Sequence, residues 1–284
     1  MTDKKYEIKQ VAELTGLETS RLRAWERRYQ IVRPERLANG YRVYTSEQVA
    51  LLRAYARLIS AGARIGSLVK RPWQDVIVEA EMGRKDDLLH GPLIEAAMAL
   101  DRPRLENLVH FQLRQLGARR FAEDVVVPFA QAVGDLWALG LLPVVAEHMA
   151  SEVVVHALKG ALRAPRADGP LVVGATLPGE RHEWGILTTL TVVQDLGWRV
   201  YYLGADLPLV DLLAAAWKLR PRCVAISVST PETIVANLAG LSDLPHRLPP
   251  GADAFIGGGG IATHARRLSA CGFKLGTDAR AFIE

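Results

Sequence analysis

The sequence predicts a multidomain chain: a winged helix-turn-helix, then a four-helix bundle, then an α/β doubly wound parallel sheet. Three observations carry this. An Arg-rich helical stretch is followed by an Asn-Gly turn between β-formers over residues 19–44. Apolar residues then recur at helical spacing across four segments with short breaks. From residue 170 onward, apolar runs alternate with amphipathic helical stretches. The predicted domains are 1–75, 82–165 and 170–284.

In the first domain, IKQVAELTG carries Ile8, Val11, Ala12 and Leu14 at helical spacing and stops at Gly16. LETSRLRAWERRYQ starts at the cap-like Thr19 and Ser20 and forms a second helix. The short Gly-containing turn between them marks a helix-turn-helix. Asn39-Gly40, flanked by β-formers, predicts a hairpin wing. TSEQVALLRAYARLISAG predicts a capped third helix ending at Gly62. VKRPWQDVIVEAEMGRKDD reads as a linker.

The bundle helices are predicted over about 87–100, 103–116, 118–139 and 143–164. Breaks fall at Asp101–Pro103, Gly117 and Gly140–Pro143, and Pro128 should kink the third helix. In the last domain, LVVGAT, VYYLG, CVAISVS and AFIGG are the predicted strands. LPLVDLLAAAWKL and IATHARRLSACG are among the helices. Ligands of such sheets bind at the carboxyl ends of the strands.

The chain has 284 residues, 49% hydrophobic and 23% charged, as in ordinary globular proteins. Residues 1–80 carry 15 Lys and Arg against 9 Asp and Glu, whereas the remaining 204 residues carry 20 against 22. The basic excess belongs to the first domain and suggests a polyanionic partner for that domain alone. MTDKKYEIKQ has no apolar run, so no signal peptide is expected, and no stretch reaches the roughly 18 apolar residues of a membrane span. With only Cys223 and Cys271, neither a disulfide framework nor a Cys-rich zinc site is expected, which fits the cytoplasm.

Arg21, Arg23, Arg27 and Arg28 on the second helix suit phosphates and guanine edges in a major groove. Arg42 and Tyr44 on the wing are candidates for the DNA backbone or minor groove. LRAWERRY, NGYRVYT and SEQVALLR resemble the MerR family of winged-helix transcription regulators, which implies double-stranded operator DNA as partner and a dimeric or higher homo-oligomer.

TLPGERHEWGILTTL places Glu180, His182 and Glu183 in a Gly-flanked loop after the first sheet strand. Alone, Glu-x-His-x-x-Gly is a weak signal. A zinc site needs about three or four protein ligands, and no second His or Cys stands at ligand spacing. A Ser-His-Asp triad would want a G-x-S-x-G elbow, which the sequence lacks.

The spacing of later motifs adds to it. Between Gly185 and Ser227 lie 41 residues, and between Ser229 and Gly257 lie 27. This array resembles the cobalamin-binding domains of methionine synthase and its relatives. The resemblance implies His182 as lower axial ligand to cobalt and Glu180 as the acceptor of its other ring N–H. It also implies that Ser227 and Ser229 line the cofactor's tail, with Gly185, Gly257 and Gly258 giving it room. Glu180 replaces the family Asp, and Ser229 stands where the family usually has Leu.

Together with GDLWALGLLPVVAEHMASE and PGERHEWG, nearly the whole chain resembles the CarH/LitR family of adenosylcobalamin-dependent photoreceptor repressors. That resemblance implies Trp137, Glu147 and His148 around the adenosyl group. It further implies a dark tetramer bound to its operator that dissociates when light breaks the cobalt–carbon bond. Ala138 departs from the family, where a His follows the Trp. The open alternatives are a regulator that senses a corrinoid or haem without light, and a corrinoid methyl carrier of a methyltransferase.

Overall fold

The structure is a computed structural model that describes residues 5–37, 40–82, 89–162 and 168–276. Its elements begin with β1 (Tyr6–Glu7), α1 (Ile8–Thr15), α2 (Thr19–Tyr29), β2 (Glu35–Arg36), β3 (Arg42–Tyr44) and α3 (Ser46–Ser60). Then follow α4 (Ile65–Leu68), α5 (Trp73–Met82), α6 (Gly91–Met98), α7 (Arg102–Arg120), a π-helical turn (Phe121–Val126), α8 (Val127–Ala138) and α9 (Val144–Ala161). The last part comprises β4 (Leu171–Thr176), α10 (Trp184–Asp195), β5 (Arg199–Tyr202), α11 (Leu209–Leu219), β6 (Cys223–Ser227), α12 (Pro231–Arg247), β7 (Asp253–Gly257), a 3₁₀ turn (Gly259–Ile261), α13 (Ala265–Ala270) and β8 (Lys274–Gly276). The architecture is the expected one: a winged head, a run of bundle helices and a parallel sheet.

The chain divides into two compact units. One comprises Met1–Leu105 and Pro128–Ala150, the other Glu106–Val127 and Ser151–Glu284, so the helical run contributes to both.

In the first unit, α1 ends at Gly16 in the left-handed region, φ 67°, where glycine carries no Cβ penalty. The expected cap residues of α2 are displaced: Glu18 is the N-cap, and Thr19 and Ser20 stand in the first turn. The Ser20 hydroxyl donates to Glu18 instead. Thr45 caps α3 as read, accepting from Gln48 N–H while the Gln48 side chain accepts from Thr45 N–H. The wing is the hairpin β2–β3, and β1 adds a third antiparallel strand on β3 that periodicity did not announce. Asn39 lies outside the described residues, as do residues 87–88 and 163–164 of the expected bundle helices.

The linker reading is overturned over residues 73–82. They form α5, which packs on α3 through the buried Val76, Ile77 and Ala80, a one-sided helical stripe. The expected break at Gly117 appears as a non-helical residue, φ 77° and ψ 164°, inside α7. The expected kink at Pro128 takes the form of the π turn just before it, where Val127 N–H reaches back to Ala122. The widened turn relieves the clash between the proline ring and the carbonyl four residues earlier.

In the second unit all sheet strands run parallel in the order β5-β4-β6-β7-β8. The chain leaves β4 first for β5 on one side and later returns to place β6 on the other. That topological switch opens a crevice at the carboxyl ends of β4 and β6. All of β4 and β6 is buried, as a sheet covered on both faces requires.

Candidate functional site

The loop after β4 carries Glu180 and His182, and the loop after β6 carries Ser229, so both open onto the switch crevice. Glu180 is 1% exposed and joins the two loops. Its Oε1 accepts from His182 N–H at 2.9 Å and faces His182 Nδ1 at 2.5 Å. Its Oε2 accepts from Ser229 N–H at 2.6 Å. Burial by itself raises the carboxyl pKa. The His182 imidazole and the two backbone N–H donors outweigh burial and hold Glu180 below its ordinary value. His182 keeps a side chain 67% exposed.

Residues that local sequence did not mark hold this loop. Thr176 Oγ1 donates to Glu180 O at 2.5 Å and accepts from Asp206 N–H at 3.0 Å. Asp206 Oδ1 accepts from Gly179 N–H at 2.7 Å, and Asn237 Nδ2 donates to Pro178 O at 2.9 Å. On the far side of His182, Glu183 accepts from the Tyr202 hydroxyl and pairs with Lys159 at 2.7 Å. Burial first, and the Glu183 contact second, push the Tyr202 hydroxyl pKa well up, so it stays a donor. Apart from Thr176, which lies four residues before Glu180, these partners come from four other elements or connections, too far apart in sequence for any motif to show.

Gly185 opens α10 next to the buried Ser227: a Cβ there would stand 2.9 Å from Ser227 Oγ. A Cβ at Gly258, φ 103°, would stand 2.2 Å from Val228 O. Gly257 likewise faces Gly276 O at 2.6 Å. The glycine run therefore has a packing function of its own, letting the exit of β7 lie against neighbouring backbone.

Trp137, Glu147 and His148 belong to the first unit, whereas the His182 group belongs to the second. Trp137, near the end of α8, is 41% exposed. Glu147 Oε2 lies 2.5 Å from His148 Nδ1 in the first turn of α9, and His148 is well exposed. Ala138 is exposed and lines a small crevice with Ser46, Glu47 and Ala50 of α3.

On the head, Arg21, Arg23, Arg27 and Arg28 are all exposed along α2, while Leu22 and Trp25 turn inward. Trp25 meets Tyr55 edge-on at 6.4 Å. One wing expectation changes. Tyr44 is fully buried, and its hydroxyl donates to Glu26, so it anchors the wing to α2 and is not available to DNA. Arg42 pairs with the same Glu26 at 3.0 Å. The exposed wing tyrosine is Tyr41, which with Lys9, Arg23 and Arg42 lines a groove of about 370 Å³. Tyr41 precedes β3 and stays outside, whereas Val43 and Tyr44 within the strand are both buried.

Residues 6–70 match the family described as MerR HTH family regulatory protein. Residues 90–159 and 170–284 each match a family described as B12 binding domain. The chain is 33% identical to the HTH-type transcriptional repressor CarH of Myxococcus xanthus, over 93% of this chain and 92% of that protein. It is 28% identical to the HTH-type transcriptional repressor CarA of the same organism, over 93% and 90%. Among solved structures, the monomethylamine corrinoid protein of Methanosarcina barkeri aligns with a TM-score of 0.55 at 15% identity. It covers 70% of this chain and 96% of that one, a likeness of fold alone.

Proposed function

Because the chain belongs to the CarH family of helix-turn-helix transcriptional repressors, we propose that it is a repressor controlled by bound cobalamin, with His182 as the protein's ligand to cobalt. It is a transcription regulator with a MerR-type head and B12-binding domains, and not an enzyme.

The observation that carries the reading is the Glu180 carboxylate between His182 and Ser229. An imidazole whose Nδ1 faces a carboxylate presents Nε2 as its metal-binding atom and gains donor strength. That carboxylate is already committed to Ser229 N–H. A metal at His182 therefore arrives with its other ligands, as the cobalt of a corrin does. Ser227 and Ser229 line the crevice for the cofactor's tail. Trp137, Glu147 and His148 are assigned, on the family resemblance, to the adenosyl group. When bound, adenosylcobalamin supplies a cobalt–carbon bond that light can break. Trp137, Glu147 and His148 would hold the adenosyl group, and their contacts with it would favour one assembly state of the protein. In the dark the chain forms a homo-oligomer, a tetramer on the family pattern, and its several heads bind operator DNA with avidity. Arg21, Arg23, Arg27, Arg28 and Arg42 face that DNA.

The test is direct. Protein loaded with adenosylcobalamin in darkness should change its visible spectrum under green light, fall to a smaller species and release operator DNA. A changed spectrum with unchanged size and DNA affinity would leave a cobalamin protein that is not switched by light. No cobalamin binding at all would remove the reading.

A further inference from the structure

Helix α8 carries Trp137 near its C-terminal end, 41% exposed. Its inward face is Phe129, Ala132, Val133 and Leu136, all buried. Asp135 stands two residues before Trp137, about 200° around the helix. There it meets the head: Arg53 Nη1 on α3 donates to Asp135 Oδ2 at 2.5 Å, with both side chains about one-quarter to one-third exposed. One turn further along α3, Arg57 pairs with Glu81 of α5, a carboxylate only 6% exposed.

Two clefts reach the Arg53–Asp135 pair. A groove of about 820 Å³ is lined by Leu14–Leu17, Arg21, Ala56, Ile59 and Gln131 among others, with both members of the pair on its wall. A crevice of about 140 Å³ is lined by Ser46, Glu47, Ala50, Ala138 and Leu139 together with Asp135. The clefts beside the pair carry small and charged residues such as Ser46, Glu47, Ala50 and Ala56, whereas α3 and α5 share a buried apolar seam. Glu47 adds a second negative charge beside Asp135 in the small crevice.

We propose that the Arg53–Asp135 ion pair is a breakable joint through which helix α8 holds the DNA-reading head. One end of a stiff helix carries the indole assigned to the ligand, and the opposite side of the same turn carries the carboxylate that grips α3. A rotation or slide of α8 that follows Trp137 moves Asp135 with it. Because the contact is charged and partly wet, it opens at small expense and weakens with salt, as an apolar seam would not. Arg57–Glu81 stays closed and keeps α5 on α3, so the head moves as one body with α5. The assignment of Trp137 rests on the proposed function, whereas the joint itself rests on the geometry of α3 and α8.

The test uses full-length protein, with and without adenosylcobalamin. Asp135→Asn and Arg53→Gln each remove the ion pair with little change of shape, and the double variant Arg53→Asp with Asp135→Arg restores it reversed. Amide exchange across residues 46–53 and 132–139 should quicken about two- to fivefold in each single variant and return toward wild type in the reversed pair. Operator affinity should lose most of its dependence on cobalamin in the single variants and regain it in the reversed pair. Exchange unchanged in both single variants, or equally fast in the reversed pair, overturns the joint. If wild-type operator affinity does not respond to cobalamin, the proposed function fails, and amide exchange alone still decides the joint.

Discussion

Glu180 holds His182 Nδ1 at 2.5 Å with one carboxylate oxygen and Ser229 N–H at 2.6 Å with the other, so a single buried side chain ties together the two loops of the switch crevice. The two loops leave neighbouring strands, and 49 residues separate the carboxylate from the amide it accepts. This arrangement makes the carboxylate as consequential as the imidazole.

His182→Ala should weaken cobalamin binding and change the visible spectrum of bound cobalamin, since the only assigned protein ligand to cobalt is gone. Dialysis binding and absorption spectra check both. The same affinity and the same spectrum in the variant would exclude His182 as ligand.

Glu180→Gln should lower cobalamin affinity about 10- to 100-fold, the usual effect of losing the partner of a ligating His. The amide cannot accept from Ser229 N–H and His182 equally well in the orientation available. Glu180→Asp keeps the charge but shortens the reach, and should fall between wild type and Gln. Affinity in Glu180→Gln equal to wild type would show that the carboxylate does not tune His182.

Arg27→Ala should weaken operator binding and reduce the salt dependence of binding by about one unit of slope if Arg27 meets a phosphate. Tyr41→Ala should also weaken DNA binding. Tyr44→Phe should instead lower stability by about 1 kcal/mol through the lost hydrogen bond to Glu26, with DNA affinity per folded molecule retained. Salt-series DNA titrations with a parallel melt decide this, and the opposite ranking of the two tyrosines would refute the wing assignment.

Burial raises the Glu81 carboxyl pKa, and Arg57 offsets only part of that. A carboxyl raised in the folded state binds more protons folded than unfolded over the window from its ordinary value to the raised one. Stability therefore falls as pH rises through that window and levels off above it. Glu81→Gln should flatten this slope in melts of the full chain run from about pH 4 to pH 8. An identical slope in the variant would assign the pH dependence elsewhere.

Trp137→Ala should uncouple ligand state from assembly, because its large indole is the bulkiest of the three side chains assigned to the adenosyl group. Size measured before and after illumination reads the effect. Normal light-driven disassembly in the variant would remove Trp137 from the switch.

Much of the fold was legible because it is written in local periodicity. Apolar residues of α1 and α3 recur every three or four positions, Gly16 stops a helix, Thr45 caps one, and β4 and β6 are apolar runs bounded by loops. α5 lies within the stretch that reads as a linker. Its stripe of Val76, Ile77 and Ala80 is short, and only the facing surface of α3 gives that stripe a reason to be helical. β1 is two residues long and exists because β3 offers it an edge.

The linear chain already specified the types of chemistry present: an imidazole with a carboxylate two residues before it, an Arg-rich helix, a wing, and a glycine run at a set distance. It determined these because each is a property of neighbouring residues or of spacing along the chain. It took the folded chain to show that Glu180 also accepts from Ser229, that Thr176, Asp206 and Asn237 hold the His182 loop, and that Tyr41 rather than Tyr44 faces outward. Only there do Arg53 and Asp135, 82 positions apart, become partners. Such pairings depend on strand order, on which face of a strand is covered and on how helices cross. Those are settled by burying many side chains at once, and no single segment carries them.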